Sequence, residues 1–129
     1  MTINGTLYNT NIIFKPSGIM KVHRKLKPTG SERLIWGDGN KGFFPVAESP
    51  WGPIGGLICW ENYIPLARVA LYKKGFTIYL APNTNDNSEW QDTVKHIAIE
   101  GHCYVVNANL FFKKSDYSQD LVTKNDLKK

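Results

Sequence analysis

The chain has 129 residues, 42% of them hydrophobic, two cysteines and a formal net charge of +5 at pH 7. This length predicts one domain over residues 1–129 with a single core, and two cysteines exclude a disulfide framework. No basic start leads into a signal-length apolar run and no stretch approaches bilayer length, so the sequence reads as a soluble, cytoplasmic protein with reduced thiols and no membrane partner.

In chain order, "GTLYNTNIIF" (5–14) reads as a strand, rich in β-formers. "KPSGIM" reads as a turn, with Pro16 fixing φ and Gly18 permitting a positive one. "IMKVHRK" (19–25) alternates apolar with polar and reads as the second arm of a hairpin. "PTGSERLIWGDGNKG" is broken by Pro28, Gly30, Gly37, Gly39 and Gly42 and reads as loop. "FFPVAES" (43–49) reads as a short strand, and the apolar run "IGGLICW" (54–60) as a buried one.

A helix is predicted over 62–74. Its stripe is Ile64, Ala67, Ala70 and Leu71, Pro65 suits the first turn, and Gly75 suits the stop. "FTIYLAP" (76–82) predicts a second buried strand. A helix from about Ser88 to Glu100 follows, with Trp90, Val94, Ile97 and Ala98 on its apolar face. "HCYVVNANLFF" (102–112) predicts a final strand, and residues 113–129 read as a flexible polar tail. The alternation of strands and helices predicts an α/β layer architecture.

Cys59 therefore falls at the carboxyl end of a strand, just before a helix. Ligands and nucleophiles of open α/β sheets collect at that edge. A helix N-terminus and a nearby lysine both favour a thiolate. The bland alternative is a small buried hydrophobe.

The sequence resembles the nitrilases, a branch of the carbon–nitrogen hydrolase superfamily. "GGLICWENYIPLARVALYKKG" is similar to their nucleophile segment, and "VHRKLKPTGSERLIWGDGN" to the segment that carries their lysine. "IYLAPNTNDNSEWQDTVKHIAIEGHCYVVNAN" resembles the stretch after the nucleophile, and "GTLYNTNIIFKPSGIMKVHRK" the hairpin before the lysine. The resemblance runs over roughly residues 5 to 117, with the motifs in family order.

It implies an α/β fold, a partial α-β-β-α sandwich of the carbon-nitrogen hydrolase type. It also implies cysteine-dependent hydrolysis of a nitrile, or of a related compound such as an amide, with no cofactor. Carried over, Cys59 of "CWEN" matches the nucleophile. Lys25 of "HRKLKPT" matches the catalytic lysine, and Glu32 of "SERL" the accessory glutamate. Trp60, Glu61 and Asn83 are expected at the substrate. The family's general-base glutamate lies upstream of the lysine and has no match here. The chain thus resembles the middle of a nitrilase, incomplete at both ends, with impaired turnover as the expectation.

The chemistry explains the residue types. A nitrile carbon has no leaving group until its nitrogen is protonated. The family's solution is a thiolate that adds to the carbon and forms a thioimidate. Water then enters, ammonia leaves, and the thioester is hydrolysed to the acid. Such steps need a base and a cation where charge builds.

Other readings stand beside this one. Glu61 either caps the first helical turn or tunes the pocket. Trp60 and Trp90 either pack or line a pocket. Cys103 reads as core filler. His23, His96 and His102 fit no metal-ligand spacing with Cys103, so no metal is expected. Residues 1–31 hold Lys15, Lys21, Arg24, Lys25 and Lys27 and no acidic residue, a bias that suits nucleic acid, but no binding motif accompanies it and no nucleic-acid partner is expected. Open strand edges predict a homo-oligomer or a complementing chain. The functional rivals are a non-catalytic remnant or interaction module, and an amidase.

Overall fold

The computed structural model describes residues 2–3, 5–18, 20–39, 44–85 and 87–116. The chain opens with a small antiparallel ribbon, β1 (Thr2–Ile3) with β2 (Thr6–Leu7). A longer hairpin follows, β3 (Thr10–Phe14) with β4 (Met20–Arg24), in register from Thr10↔Arg24 to Phe14↔Met20. At its turn the Gly18 N–H donates to the Lys15 carbonyl at 2.9 Å, with Gly18 at φ +80°. The single strand expected over 5–14 is therefore two. Leu7, on β2, also bridges Trp36, and its carbonyl accepts the Gly37 N–H at 2.8 Å.

The main sheet has three parallel strands in the order β5 (Ile54–Gly56), β6 (Ile78–Asn83), β7 (Tyr104–Asn109). Its crossovers are α1 (Pro65–Tyr72) and α2 (Ser88–Gly101). The two helices lie together on one face, because Arg68 and Tyr72 of α1 both hydrogen-bond Glu100 of α2. The core fills the space between that face and the sheet, with Ala67, Leu71, Tyr79, Ala81, Trp90 and Ile97 buried. The β3–β4 hairpin comes near the carboxyl end of this sheet, where Asn9 to Ile12 share a cavity of about 320 Å³ with Ile58 and Pro82. This is an α/β layered fold, part of a sandwich.

Several boundaries differ from the sequence expectation. The run 54–60 is a strand only to Gly56 and then turns. The helix expected from residue 62 starts at Pro65, after a separate 3-10 turn, Cys59–Tyr63. Proline explains the break. It disfavours the helical region for the residue before it, and Ile64 is extended, at φ −92° and ψ 102°. Within 43–49 there is no strand among the described residues, only an antiparallel bridge, Ala47↔Ile54. Pro45 has no N–H to give a ladder. Residue 43 lies outside the described residues.

α2 matches its expected span. The Asn87 side chain caps it by accepting the Trp90 N–H at 2.9 Å. Of the expected tail, residues 114–116 form a 3-10 turn and residues 117–129 lie outside the described residues. No helix among the described residues is long and apolar enough to cross a membrane.

Candidate active site

The polar face of β4 and its extension is the buried one. Met20 is exposed, whereas His23 and Lys25 are buried. Lys25 is held by its backbone first: its N–H donates to the Asn9 carbonyl at 2.8 Å and its carbonyl accepts the Gly39 N–H at 2.9 Å. Its side chain, 1% exposed, donates from Nζ to Glu32 Oε2 at 2.6 Å and to Thr29 Oγ1 at 3.0 Å. A buried ammonium needs such a partner.

Glu32 sits in the 3-10 turn Gly30–Leu34. It also accepts the Thr29 N–H at 2.6 Å and the Asn9 amide at 3.5 Å. Burial opposes its charge, but the hydrogen bonds from Lys25 and Thr29, with the charge of Lys25, outweigh burial and hold its carboxyl below the usual range.

Cys59 opens the 3-10 turn Cys59–Tyr63 and is half-buried. Its φ is +50°, a left-handed conformation that a residue with a Cβ seldom adopts. Such a backbone persists only where its surroundings hold it. Here Asn62, fully buried, donates from its amide to the Cys59 carbonyl at 2.7 Å and to the Leu57 carbonyl at 3.3 Å. The Asn62 side-chain oxygen Oδ1 accepts the Tyr79 hydroxyl at 2.5 Å, which anchors the turn to β6. α1 begins only at Pro65, so its N-terminus does not lie at the thiol as the sequence suggested.

Glu61 joins the cysteine's turn to the lysine's strand. It is 1% exposed. One oxygen accepts the Ile58 N–H at 2.9 Å, which caps the cysteine's turn. The other accepts the Leu26 N–H at 2.5 Å. His23 Nε2 lies 3.0 and 2.9 Å from the two oxygens. Residues 58 and 26 flank the thiol and the ammonium, so one carboxylate ties both backbones. Its capping role agrees with one of the two sequence readings. Its expected contact with substrate competes with these bonds, which engage both oxygens.

A cavity of about 520 Å³ opens beside this unit, with Pro28, Arg33, Trp60, Glu61 and Ile64 among its lining residues. Trp60 is 56% exposed and its ring stacks on Tyr63 at 4.9 Å, which in turn meets Trp90 edge-on at 6.0 Å. Trp90 is core. Asn83 ends β6 and is buried, with its amide donating to the Asn85 carbonyl at 2.8 Å. Lys25 and Glu32 are thus in direct contact, Cys59 is tied to them through Glu61, and Asn83 marks the same carboxyl edge of the sheet.

Sequence reasoning missed His23, Asn62, Asn9 and Thr29 as parts of the site. Asn62 was legible as the last letter of "CWEN", a polar residue within the turn itself. Cys103 is half-buried, and burial raises its thiol's pKa. Among the described residues no group of His, Cys, Asp and Glu could hold a metal ion. His96 pairs with Glu100 at 3.6 Å.

The profile of the carbon-nitrogen hydrolase family matches residues 2–122. The chain belongs to the carbon-nitrogen hydrolase family. Its curated relatives place it in the nitrilase branch. It is 45% identical over 117 residues to an aliphatic nitrilase of Sinorhizobium fredii (strain HH103), covering 91% of this chain and 38% of the relative. It is 50% identical over 113 residues to a bifunctional nitrilase/nitrile hydratase of Oryza sativa subsp. japonica, covering 87% and 31%. The carbon-nitrogen hydrolase chain thus spans about a third of the length of these relatives. Its fold is similar to that of a carbon-nitrogen hydrolase from Helicobacter pylori G27, with a TM-score of 0.71 at 23% identity, covering 84% of this chain and 42% of that one.

Proposed function

We propose that this chain carries the nucleophile and the cation of a nitrile-hydrolysing site. Cys59 attacks the nitrile carbon and forms a thioimidate. Lys25 stabilises charge on the reacting atoms, and Glu32 holds Lys25 in place and assists proton transfer. The observation that carries this reading is the Cys59 backbone, held left-handed at φ +50° by Asn62 and tied through Glu61 to the strand of a buried, carboxylate-paired lysine. An inert core cysteine needs none of this.

The other described glutamates are committed elsewhere or face solvent. Glu61 is saturated by its donors, Glu100 binds Arg68 and Tyr72, and Glu48 and Glu89 are exposed. On this reading attack outpaces the hydrolytic half of the reaction in the isolated chain, so an adduct accumulates. Trp60 and the adjoining cavity receive the substrate's organic group. Residues 1–129 act as one domain. The exposed Tyr104 and Val106 on the sheet and Leu66 and Ile99 on the helices support cover by another copy or a complementing chain. Free thiols suit the cytoplasm.

The test compares a nitrile with the amide of the same acid. A nitrile adds its whole mass to the protein as a thioimidate. An amide adds its mass less ammonia as a thioester. Adduct from the nitrile, lost in Cys59→Ala, supports the nitrilase reading. Adduct from the amide alone makes the site an amidase's, and adduct from neither makes the domain non-catalytic.

A further inference from the structure

We propose that His23 and Glu61 form a positioning pair that sets the Cys59 thiol against the Lys25 ammonium. The proposal rests on the reading of Cys59 as nucleophile and gives a role to the buried His23, which this reading leaves unused. Both residues are buried, at 3% and 1% exposed. The carboxylate accepts from three donors on two separate segments: the Ile58 N–H, directly before Cys59, the Leu26 N–H, directly after Lys25, and His23 Nε2, on the lysine's own strand.

Neither end of this bridge is firm alone. The Cys59 backbone is left-handed and needs holding on the Ile58 side as Asn62 holds it on the other. The imidazole has no second polar anchor: among the described residues, His23 Nδ1 is a buried side-chain atom with no hydrogen-bond partner. A buried polar atom left unpaired has a cost. The rest of the ring packs on Phe44, at a centroid distance of 5.3 Å. The orientation of His23 is thus set by Phe44 and Glu61, and that of Glu61 by His23 and two backbone N–H groups. Loss of the His23 donor leaves the carboxylate held by the N–H groups alone and frees it to shift. A shift of a fraction of an ångström passes directly to the residues beside it, Cys59 and Lys25.

The readout is the rate at which iodoacetamide alkylates Cys59 in the full chain, followed by peptide mass with Cys103 as internal reference, and resolved into kinact and KI. His23→Phe keeps the ring against Phe44 and removes the donor. His23→Gln places an amide N–H near the position of Nε2. His23→Phe is expected to lower kinact about 10- to 100-fold with KI unchanged, and His23→Gln to restore most of it, in chains with wild-type circular dichroism. Should His23→Phe not fold, His23→Asn, whose shorter amide cannot reach the carboxylate, replaces it in the comparison with His23→Gln. Equal kinact in folded His23→Phe (or His23→Asn) and wild type overturns the pairing while leaving the nucleophile reading intact. A wild-type chain in which Cys59 reacts no faster than Cys103 overturns the nucleophile reading, and the pairing with it.

Discussion

Nζ of Lys25 lies 2.6 Å from Oε2 of Glu32, and the two are unequally buried: the lysine side chain is 1% exposed and the glutamate side chain 31%. Removal of one partner therefore costs more than removal of the other. Glu32→Ala leaves a buried ammonium with only the Thr29 hydroxyl among the described residues, whereas Lys25→Met leaves a partly wet carboxylate that still accepts from Thr29 and Asn9. We expect Glu32→Ala to lose about 2–3 kcal/mol, less than the roughly 3–5 of a fully buried pair because the glutamate is partly exposed, and Lys25→Met clearly less. Urea unfolding of both variants checks the order.

The same pair fixes a pH dependence. Glu32 has a folded pKa below its ordinary value of 4.5. A depressed carboxyl adds stability above the unfolded pKa and loses it as pH falls through the folded one. Thermal melting of wild type and Glu32→Gln should therefore differ at pH 7 and converge as pH drops from about 4.5 downward. A gap that persists unchanged at pH 2 would mean that the charge of Glu32 is not what stabilises the fold.

Left-handed backbone at Cys59 predicts an inverted preference between small residues. Glycine adopts φ near +50° without strain, and alanine does not. Cys59→Gly should be more stable than Cys59→Ala by about 1 kcal/mol. In a helix or strand interior the order would be reversed.

Asn62 supports the same turn. Asn62→Ala removes both donors to the Leu57 and Cys59 carbonyls and strands the buried Tyr79 hydroxyl. We expect a loss of about 2–4 kcal/mol, together with slower alkylation of Cys59, measured at a temperature where the variant is folded.

Gly39 closes on the lysine's backbone. A Cβ at this position would stand 2.5 Å from the Lys25 carbonyl oxygen and 2.6 Å from that of Arg24. Gly39→Ala must push the lysine's strand aside, at a cost of about 1–3 kcal/mol. Slower Cys59 chemistry in this variant, which alters no functional side chain, would show that the position of Lys25 matters.

The sequence exposed what is periodic and hid what is local. α2 was legible because Trp90, Val94 and Ile97 recur at helical spacing over a long span. The turn at Cys59 was not, since an apolar run reads alike whether it continues as a strand or bends. The true start of α1 lay in the constraint Pro65 puts on Ile64, which separates the turn from the helix. The alternation in "IMKVHRK" announced a strand without saying which face is buried. Burial of His23 and Lys25 depends on Glu61 and Glu32, and the first of these lies 38 residues from His23 in the chain. The roles of Cys59, Lys25 and Glu32 rested on family resemblance; the contacts by which His23, Asn9 and Thr29 position them came only from the fold.

Whether Cys59 is the nucleophile is decided by the intact mass of the folded chain after incubation with a nitrile, alongside Cys59→Ala. A nucleophilic Cys59 gives a gain of the whole nitrile mass in the wild-type chain, mapping to the peptide that contains Cys59, and none in the variant. No gain in a chain whose circular dichroism shows it folded, or an equal gain in Cys59→Ala, would mean that Cys59 is not the nucleophile.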